Sequence, residues 1–234
     1  MKPKVIGSRL SGLKAKPPAS RAPRKPGSKA SFFVLMIGHS TRTLEEFIGL
    51  LKAHGATCVV DVRTVPRSRH NPQFNRDTLP AALRAAGIGY EHLAELGGFR
   101  HTTPDSPNPG WRKASFRGYA DYMQTPAFAE GLTSLIQLAS QGQIAVMCAE
   151  AVPWRCHRSL IADALLIRGI RSEDISSATR RAVHTLTPFA KVRGTTITYP
   201  AAAKGSPVKL LSAKRSRISP EKKSKLQKVA LRKN

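Results

Sequence analysis

Residues 143–169 read QIAVMCAEAVPWRCHRSLIADALLIRG, and this one stretch sets the fold class. Gln143 to Cys148 reads as a buried strand, apolar from Ile144 onward. From His157 to Arg168 the apolar residues fall instead at Leu160, Ile161, Ala164 and Leu165, one face of a helix, and Gly169 is placed to end it. A buried strand that passes through a polar loop into a helix is one half of a crossover between parallel strands.

The same alternation recurs upstream. Phe32 to Ile37 is a short apolar run that Gly38-His39-Ser40 breaks. Thr43 and Glu46 then have capping-box spacing, in which hydroxyl and carboxylate each satisfy a free backbone N–H. Leu44, Phe47, Ile48 and Leu51 share a helix face, Gly55 closes it, and Thr57 to Val62 is a second β-branched run. Leu79 to Ala86 reads as a short helix ended by Gly87, and Ile88 to Leu93 as a strand. Leu96 to Arg117 has little periodicity. Thr125 and Pro126 form an N-cap and first turn for a helix through Phe128, Leu132, Leu135, Ile136 and Ala139, which Gly142 stops. Beyond Ile170, Val183–Leu186 and Thr195–Tyr199 read as edge strands. The expectation is an α/β domain over residues 31–200: a mostly parallel sheet with helices on both faces, in three layers.

Charge separates this domain from its flanks. The chain has 234 residues and a formal net charge of +25. Residues 1–30 hold nine Lys or Arg and no acid, and residues 201–234 hold eleven with only Glu221 opposing them. Both flanks are rich in Lys, Ser, Pro and Ala and nearly free of aromatic residues, so they are expected to be disordered basic tails. Such tails suit non-specific nucleic-acid binding by counterion release, or act only as solubilising segments. Residues 1–30 also fit an acid-free transit peptide, which the matching basic C-terminus makes less economical. No apolar run approaches the ~20 residues that span a bilayer, so no membrane partner is expected. Three cysteines do not suggest a disulfide framework, and a reducing, cytoplasmic setting is the natural one.

In a parallel sheet, residues just beyond the carboxyl ends of the strands gather on one edge. That rule predicts a cluster: His39 from the first strand, Asp61 and Arg63 from the second, His92 and Glu95 from the third, Cys148 and Glu150 from the fourth. His39, Asp61, Arg63, Cys148, Glu150 and Arg158 are expected to share one pocket. The segment from Cys148 to Arg158 enters a helix N-terminus, where free N–H groups and the helix dipole favour anions, with Arg155 and Arg158 strengthening the effect. A thiol there ionises more readily. Cys148 is also readable as a small buried hydrophobe, Cys156 as a packed helix-start residue, Cys58 as core and His54 as a helix-end surface group. Cys148, Cys156, His157 and His39 would suit zinc or iron as ligands. No CxxC pair anchors such a site, and adjacent Cys156 and His157 would point different ways on a helix, so no metal and no cofactor is assigned. Two loops add basic and aromatic groups: Arg67 and Arg69 in the first, Trp111, Arg112, Phe116 and Arg117 in the second. They suit phosphate binding and base stacking, or form a solvated lid.

At these residues the chain resembles a known family. Ile37-Gly-His-Ser-Thr-Arg42, Val60-Asp-Val-Arg-Thr-Val-Pro-Arg-Ser-Arg69, Asn71-Pro-Gln-Phe-Asn75, Glu95-Leu-Gly-Gly98, Phe116-Arg-Gly-Tyr-Ala-Asp-Tyr-Met123 and Cys148 to Arg158 resemble the domain-of-unknown-function family 488 over about residues 34–200. The resemblance implies an α/β domain and a shared site, and supplies no reaction. The strand–Cys–loop–Arg–helix order is similar to rhodanese and Cys-phosphatase loops. Here, though, six residues separate Cys148 from Arg155 rather than five, and Pro153 lacks a backbone N–H.

Together these features lead to an expectation of a thiol-dependent enzyme, a Cys-nucleophile hydrolase or transferase, on an anionic substrate such as nucleic acid or a nucleotide. Cys148 or Cys156 would attack, His39, Glu150 or Asp61 would serve as acid/base, and Arg63, Arg67, Arg69, Arg155 and Arg158 would bind the anion. Trp111 and Phe116 would stack on bases. The alternatives are a metal-assisted enzyme using the same cysteines and a non-catalytic nucleic-acid-binding accessory protein.

Overall fold

The computed structural model describes residues 32–201; the two basic tails lie outside the described residues, apart from Ala201. Strands β1 (Phe33–Gly38), β2 (Cys58–Asp61), β3 (Gly89–His92), β4 (Ile144–Cys148), β5 (Arg171–Ser177) and β6 (Arg180–Val183) form one sheet in the order β3-β2-β4-β1-β5-β6. The first five are parallel to their neighbours, and β6 returns antiparallel to β5. The α-helices among the described residues are α1 (Leu44–Ala53), α2 (Leu79–Ala85), α3 (Ala114–Tyr122), α4 (Pro126–Gln141) and α5 (Arg158–Leu166). The α/β architecture matches the pattern in the sequence.

Alternation along the strands divides the core in two. Leu35, Ile37, Val59, Ala145 and Met147 face α1 and α2, packing on Phe47, Leu51, Leu79 and Leu83. Val34, Met36, Val60, Val146 and Cys148 face the other way, onto Phe116, Phe128, Leu132 and Leu160 of α3, α4 and α5. Each fully buried Leu, Ile, Val or Phe contributes roughly 1.5–3 kcal/mol, so both layers hold the sheet firmly. The capping box on α1 is present, with Thr43 Oγ1 accepting from the Glu46 N–H and Glu46 accepting from the Thr43 N–H.

Three elements depart from the sequence reading. Helix α3 lies at the end of the segment that showed no periodicity, because its buried face is Phe116, Gly118, Tyr119 and Ala120 rather than an aliphatic stripe. Strand β5 is written RSEDISS, with Ser172 and Glu173 buried, and gives no apolar signal. The edge strand read at Val183–Leu186 sits earlier, at Arg180–Val183, and the one at Thr195–Tyr199 belongs to a separate hairpin of β7 (Lys191–Arg193) and β8 (Thr196–Thr198). Helix α5 is not amphipathic: eight consecutive residues, Arg158 to Leu165, are buried. Its outer side is covered by the segment after β6, where the His184 ring, the Thr187 N–H and the Tyr199 hydroxyl all bond buried Asp163 at 2.8, 3.1 and 2.9 Å.

Candidate functional site

β1 and β4 are neighbours whose onward chains part. After β1 the chain turns to α1 on one face of the sheet, and after β4 it turns to α5 on the other. Such divergence opens a crevice at the carboxyl ends of the strands. A cleft of about 850 Å³ lies there, and Cys148, Cys156 and His157 belong to its lining.

These three side chains converge. Cys148 Sγ and Cys156 Sγ lie 3.9 and 3.8 Å from the same atom, His157 Nδ1, and all three atoms fall within 4.8 Å of one another. The local backbone explains how. Pro153–Arg155 is a single 3₁₀ turn, Cys156 is extended (φ −125°, ψ 143°), and α5 begins only at Arg158. Cys156 and His157 are therefore not successive helical residues, which corrects the reading that they must diverge. The imidazole is fixed from behind: its Nε2–H donates to Val62 O at 3.1 Å, which leaves Nδ1 as a lone pair toward the sulfurs. The Tyr119 ring lies 4.9 Å from the imidazole, centroid to centroid.

Close approach of backbone shapes the pocket. A Cβ on Gly38 would overlap the Glu150 carbonyl oxygen, so the loop after β4 can cross β1 only over glycine. A Cβ on Gly98 would stand 3.2 Å from His157 Nδ1, so glycine there keeps the space beside that lone pair open. Ser40 (φ 50°) and Phe99 (φ 57°) are the non-glycine residues at positive φ among the described residues, and both line the cleft. Backbone strain of this kind collects at functional sites.

Electrostatics single out Cys148. The neighbouring Cys156 thiol, then His157 and Arg158, hold it well below the usual thiol range despite burial. Cys156 moves the opposite way, because of the neighbouring Cys148 sulfur and then its own burial. Cys58, far from these groups, is pushed up to about 11 by burial and then by Glu91.

Of the residues expected at the site, His39, Arg63, Arg67, Cys148, Glu150, Arg155, Cys156 and Phe116 line the cleft. Several do so in other roles than the sequence suggested. Buried Asp61 is committed to Arg63, accepting from its Nε and Nη2 at 2.9 and 2.6 Å, and to the Tyr90 hydroxyl at 2.9 Å. Neither member of this pair is a free acid/base or a free anion site. His39 donates from Nδ1 to Ser40 O at 2.9 Å, accepts from Arg63 at Nε2, and stacks on Phe74. Burial lowers its pKa, so it stays a neutral bridging group. Arg158 is 1 % exposed, points under the sheet end to Ile37 O at 2.6 Å, and does not reach the cleft. The helix N-terminus does not offer a row of free N–H groups either, since Arg155, Cys156, Ser159 and Leu160 all donate to local carbonyls.

The stacking assignment is also corrected. Phe116 is buried and Trp111 half-buried, their rings 4.7 Å apart, with Phe189 and Tyr199 completing an aromatic core cluster. The exposed aromatics are instead Phe99, at 86 %, and Trp154, at 75 %. Phe99 lines the cleft, and Trp154 lies in the 3₁₀ turn between the two cysteines. Arg69 is exposed beside Arg67 in an adjoining groove. His92 Nε2–H donates to Arg63 O (2.8 Å) and Glu95 is exposed, both away from the cleft lining. Glu150 is the carboxylate that lines the cleft, with Oε1 accepting from the Val152 N–H. The sequence offered His157 only as a possible metal ligand; the contact that orients its ring toward the two sulfurs, the Val62 carbonyl 95 residues away, is tertiary.

The family model described as domain of unknown function DUF488 matches residues 43–165, more than half of the chain and the interval that holds both cysteines and His157. No curated protein and no solved structure matches the chain.

Proposed function

The chain belongs to the DUF488 family, and we propose that it is a thiol-dependent enzyme, a hydrolase or transferase, acting on an anionic substrate of the nucleotide or nucleic-acid class. The observation that carries this reading is Cys148 Sγ at the floor of the cleft, facing an imidazole nitrogen whose tautomer a backbone carbonyl sets. In this mechanism His157 Nδ1 accepts the Cys148 proton, the thiolate attacks the electrophilic atom of the substrate, and the imidazolium returns the proton to the leaving group. Cys156 donates its S–H to the thiolate and so acts as a positioning residue. Glu150, with one oxygen held by the Val152 N–H, is available to activate water for release of the intermediate.

Charge and exposed apolar surface support the substrate class. Arg67 and Arg155 are exposed on the cleft wall with one carboxylate, Glu150, against them. Exposed Phe99 and Trp154 offer flat faces to a base. The basic tails would add non-specific phosphate affinity along a polymer. Among the described residues no helix is long and apolar enough to cross a membrane. A thiol pair left unbridged suits a reducing, cytoplasmic compartment.

Alkylation with site mapping tests the reading. Metal-free full-length chain, treated with iodoacetamide near neutral pH, is expected to label at Cys148 at least tenfold faster than at Cys58. A Cys148 that reacts no faster than Cys58 would remove the nucleophile and with it the proposal.

A further inference from the structure

We infer that Cys148, Cys156 and His157 form a binding site for one thiophilic divalent cation, Zn²⁺ being the natural occupant, with a fourth coordination position open to the cleft. The consequence for regulation rests on the thiol reading above: the cation uses the same sulfur lone pair that attacks substrate, so ion binding and thiol reactivity exclude each other.

The first reason is stoichiometry of donors. A nucleophile–base dyad needs one sulfur for one nitrogen, whereas here a single Nδ1 lone pair faces two sulfurs at 3.9 and 3.8 Å. Zn–S bonds of about 2.3 Å and Zn–N bonds of about 2.0–2.1 Å hold tetrahedral donors roughly 3.5–3.8 Å apart, so each sulfur–nitrogen distance needs to close by a few tenths of an ångström, and the sulfur–sulfur separation, within 4.8 Å, by up to about 1 Å through side-chain rotation. The second reason is the outer shell. A metal-ligating histidine characteristically donates its other ring N–H to a carbonyl or carboxylate, and His157 Nε2 does so to Val62 O. The third is space and charge. Glycine at 98 leaves the region beside Nδ1 clear, and the cleft supplies access. The buried Arg158 guanidinium lies behind the sheet end, where it donates to Ile37 O, so a positive group stands near the two sulfurs. Two S–H protons leave as the ion binds; no electron transfer is involved.

The test uses full-length chain, purified without added metal under reducing conditions and treated with chelator. Titration with Co²⁺ is expected to give one ion per chain with a thiolate-to-cobalt charge-transfer band, displaced by Zn²⁺. Cys156→Ser, Cys148→Ser and His157→Gln should each weaken binding at least tenfold, and Cys58→Ser should leave it unchanged; circular dichroism shows which variants fold. Iodoacetamide labelling of Cys148 should fall at least tenfold with Zn²⁺ bound and recover with chelator. No stoichiometric band, or a band that survives all three ligand substitutions in folded protein, overturns the site however reactive Cys148 is. A band that appears while metal-free Cys148 stays inert upholds the site and removes the thiol function instead.

Discussion

Replacing Asp61 by Ala is the sharpest probe of what lies beneath the cleft. The carboxylate is fully buried and binds Arg63 through both oxygens, with the Arg63 side chain only 7 % exposed. Without it the guanidinium keeps Phe74 O at 2.7 Å and His39 Nε2 at 3.3 Å, but its charge has no counterpart. Removing one member of a buried ion pair costs about 3–5 kcal/mol. The Tyr90 hydroxyl also loses its acceptor, yet that side chain is half-exposed and water replaces the bond at little further cost. With a urea slope of about 2 kcal/mol per molar, the unfolding midpoint should drop by roughly 1.5–2.5 M. Adding Arg63→Met should restore most of that loss, because an apolar pair of similar volume no longer strands a charge. Urea unfolding followed by circular dichroism measures both variants. A single-variant loss under about 1 kcal/mol, or a double variant no better than the single, would refute the account of Asp61 as a structural partner.

Other substitutions separate the roles. Gly38→Ala should displace the loop over β1 and cost about 1–3 kcal/mol as an overpacked site, seen as a fall in Tm; an unchanged Tm contradicts the close approach. Trp111→Ala should destabilise by about 3–5 kcal/mol as a core aromatic, whereas a stacking residue would alter only binding. Phe99→Ala should leave stability within about 0.5 kcal/mol and weaken single-stranded oligonucleotide binding by about 1–3 kcal/mol; equal affinity would take Phe99 out of recognition. Residues 1–30 and 201–234 carry 20 of the 39 basic residues, so deleting them should make log affinity for DNA much shallower against log salt, each lost phosphate contact removing about 0.9 from the slope; identical slopes would make the tails bystanders.

The sequence exposed what periodicity encodes and hid what tertiary contacts encode. β1, β2, β4, α1 and α4 were legible because apolar runs, a capping box and a Thr-Pro helix start are local signals. The strand-end rule then brought His39, Arg63, Cys148 and Glu150 to one cleft without any knowledge of strand order. β5 was illegible because Ser172 and Glu173 are buried polar residues, the latter satisfied by Arg171 and Arg181 rather than by apolar neighbours. Trp111 and Phe116 looked like a binding surface because the Phe189 and Tyr199 that cover them come from 70 to 90 residues downstream. His157 was passed over for a geometric reason: helical spacing was assumed at Cys156, where the chain is extended.

The loop from β4 to α5 ties these observations to one electrostatic requirement. Arg158 is 1 % exposed, and among the described residues it makes no ion pair with a carboxylate. A buried cation without a counter-charge costs several kcal/mol, so the fold tolerates it only where negative charge lies nearby. Asp174 faces it but is itself pushed toward the neutral form by burial. Arg158 also contributes to the lowering at Cys148. The buried cation thus favours the ionised form of the Cys148 thiol. Whatever occupies the open side of the triad, a substrate atom or a metal ion, meets a sulfur whose proton is held less tightly than that of an ordinary thiol. At the β1–β4 switch point a strand end, a crossing loop and a buried helix start bring Cys148, His157 and Arg158 together, which is the geometry that the proposed chemistry uses.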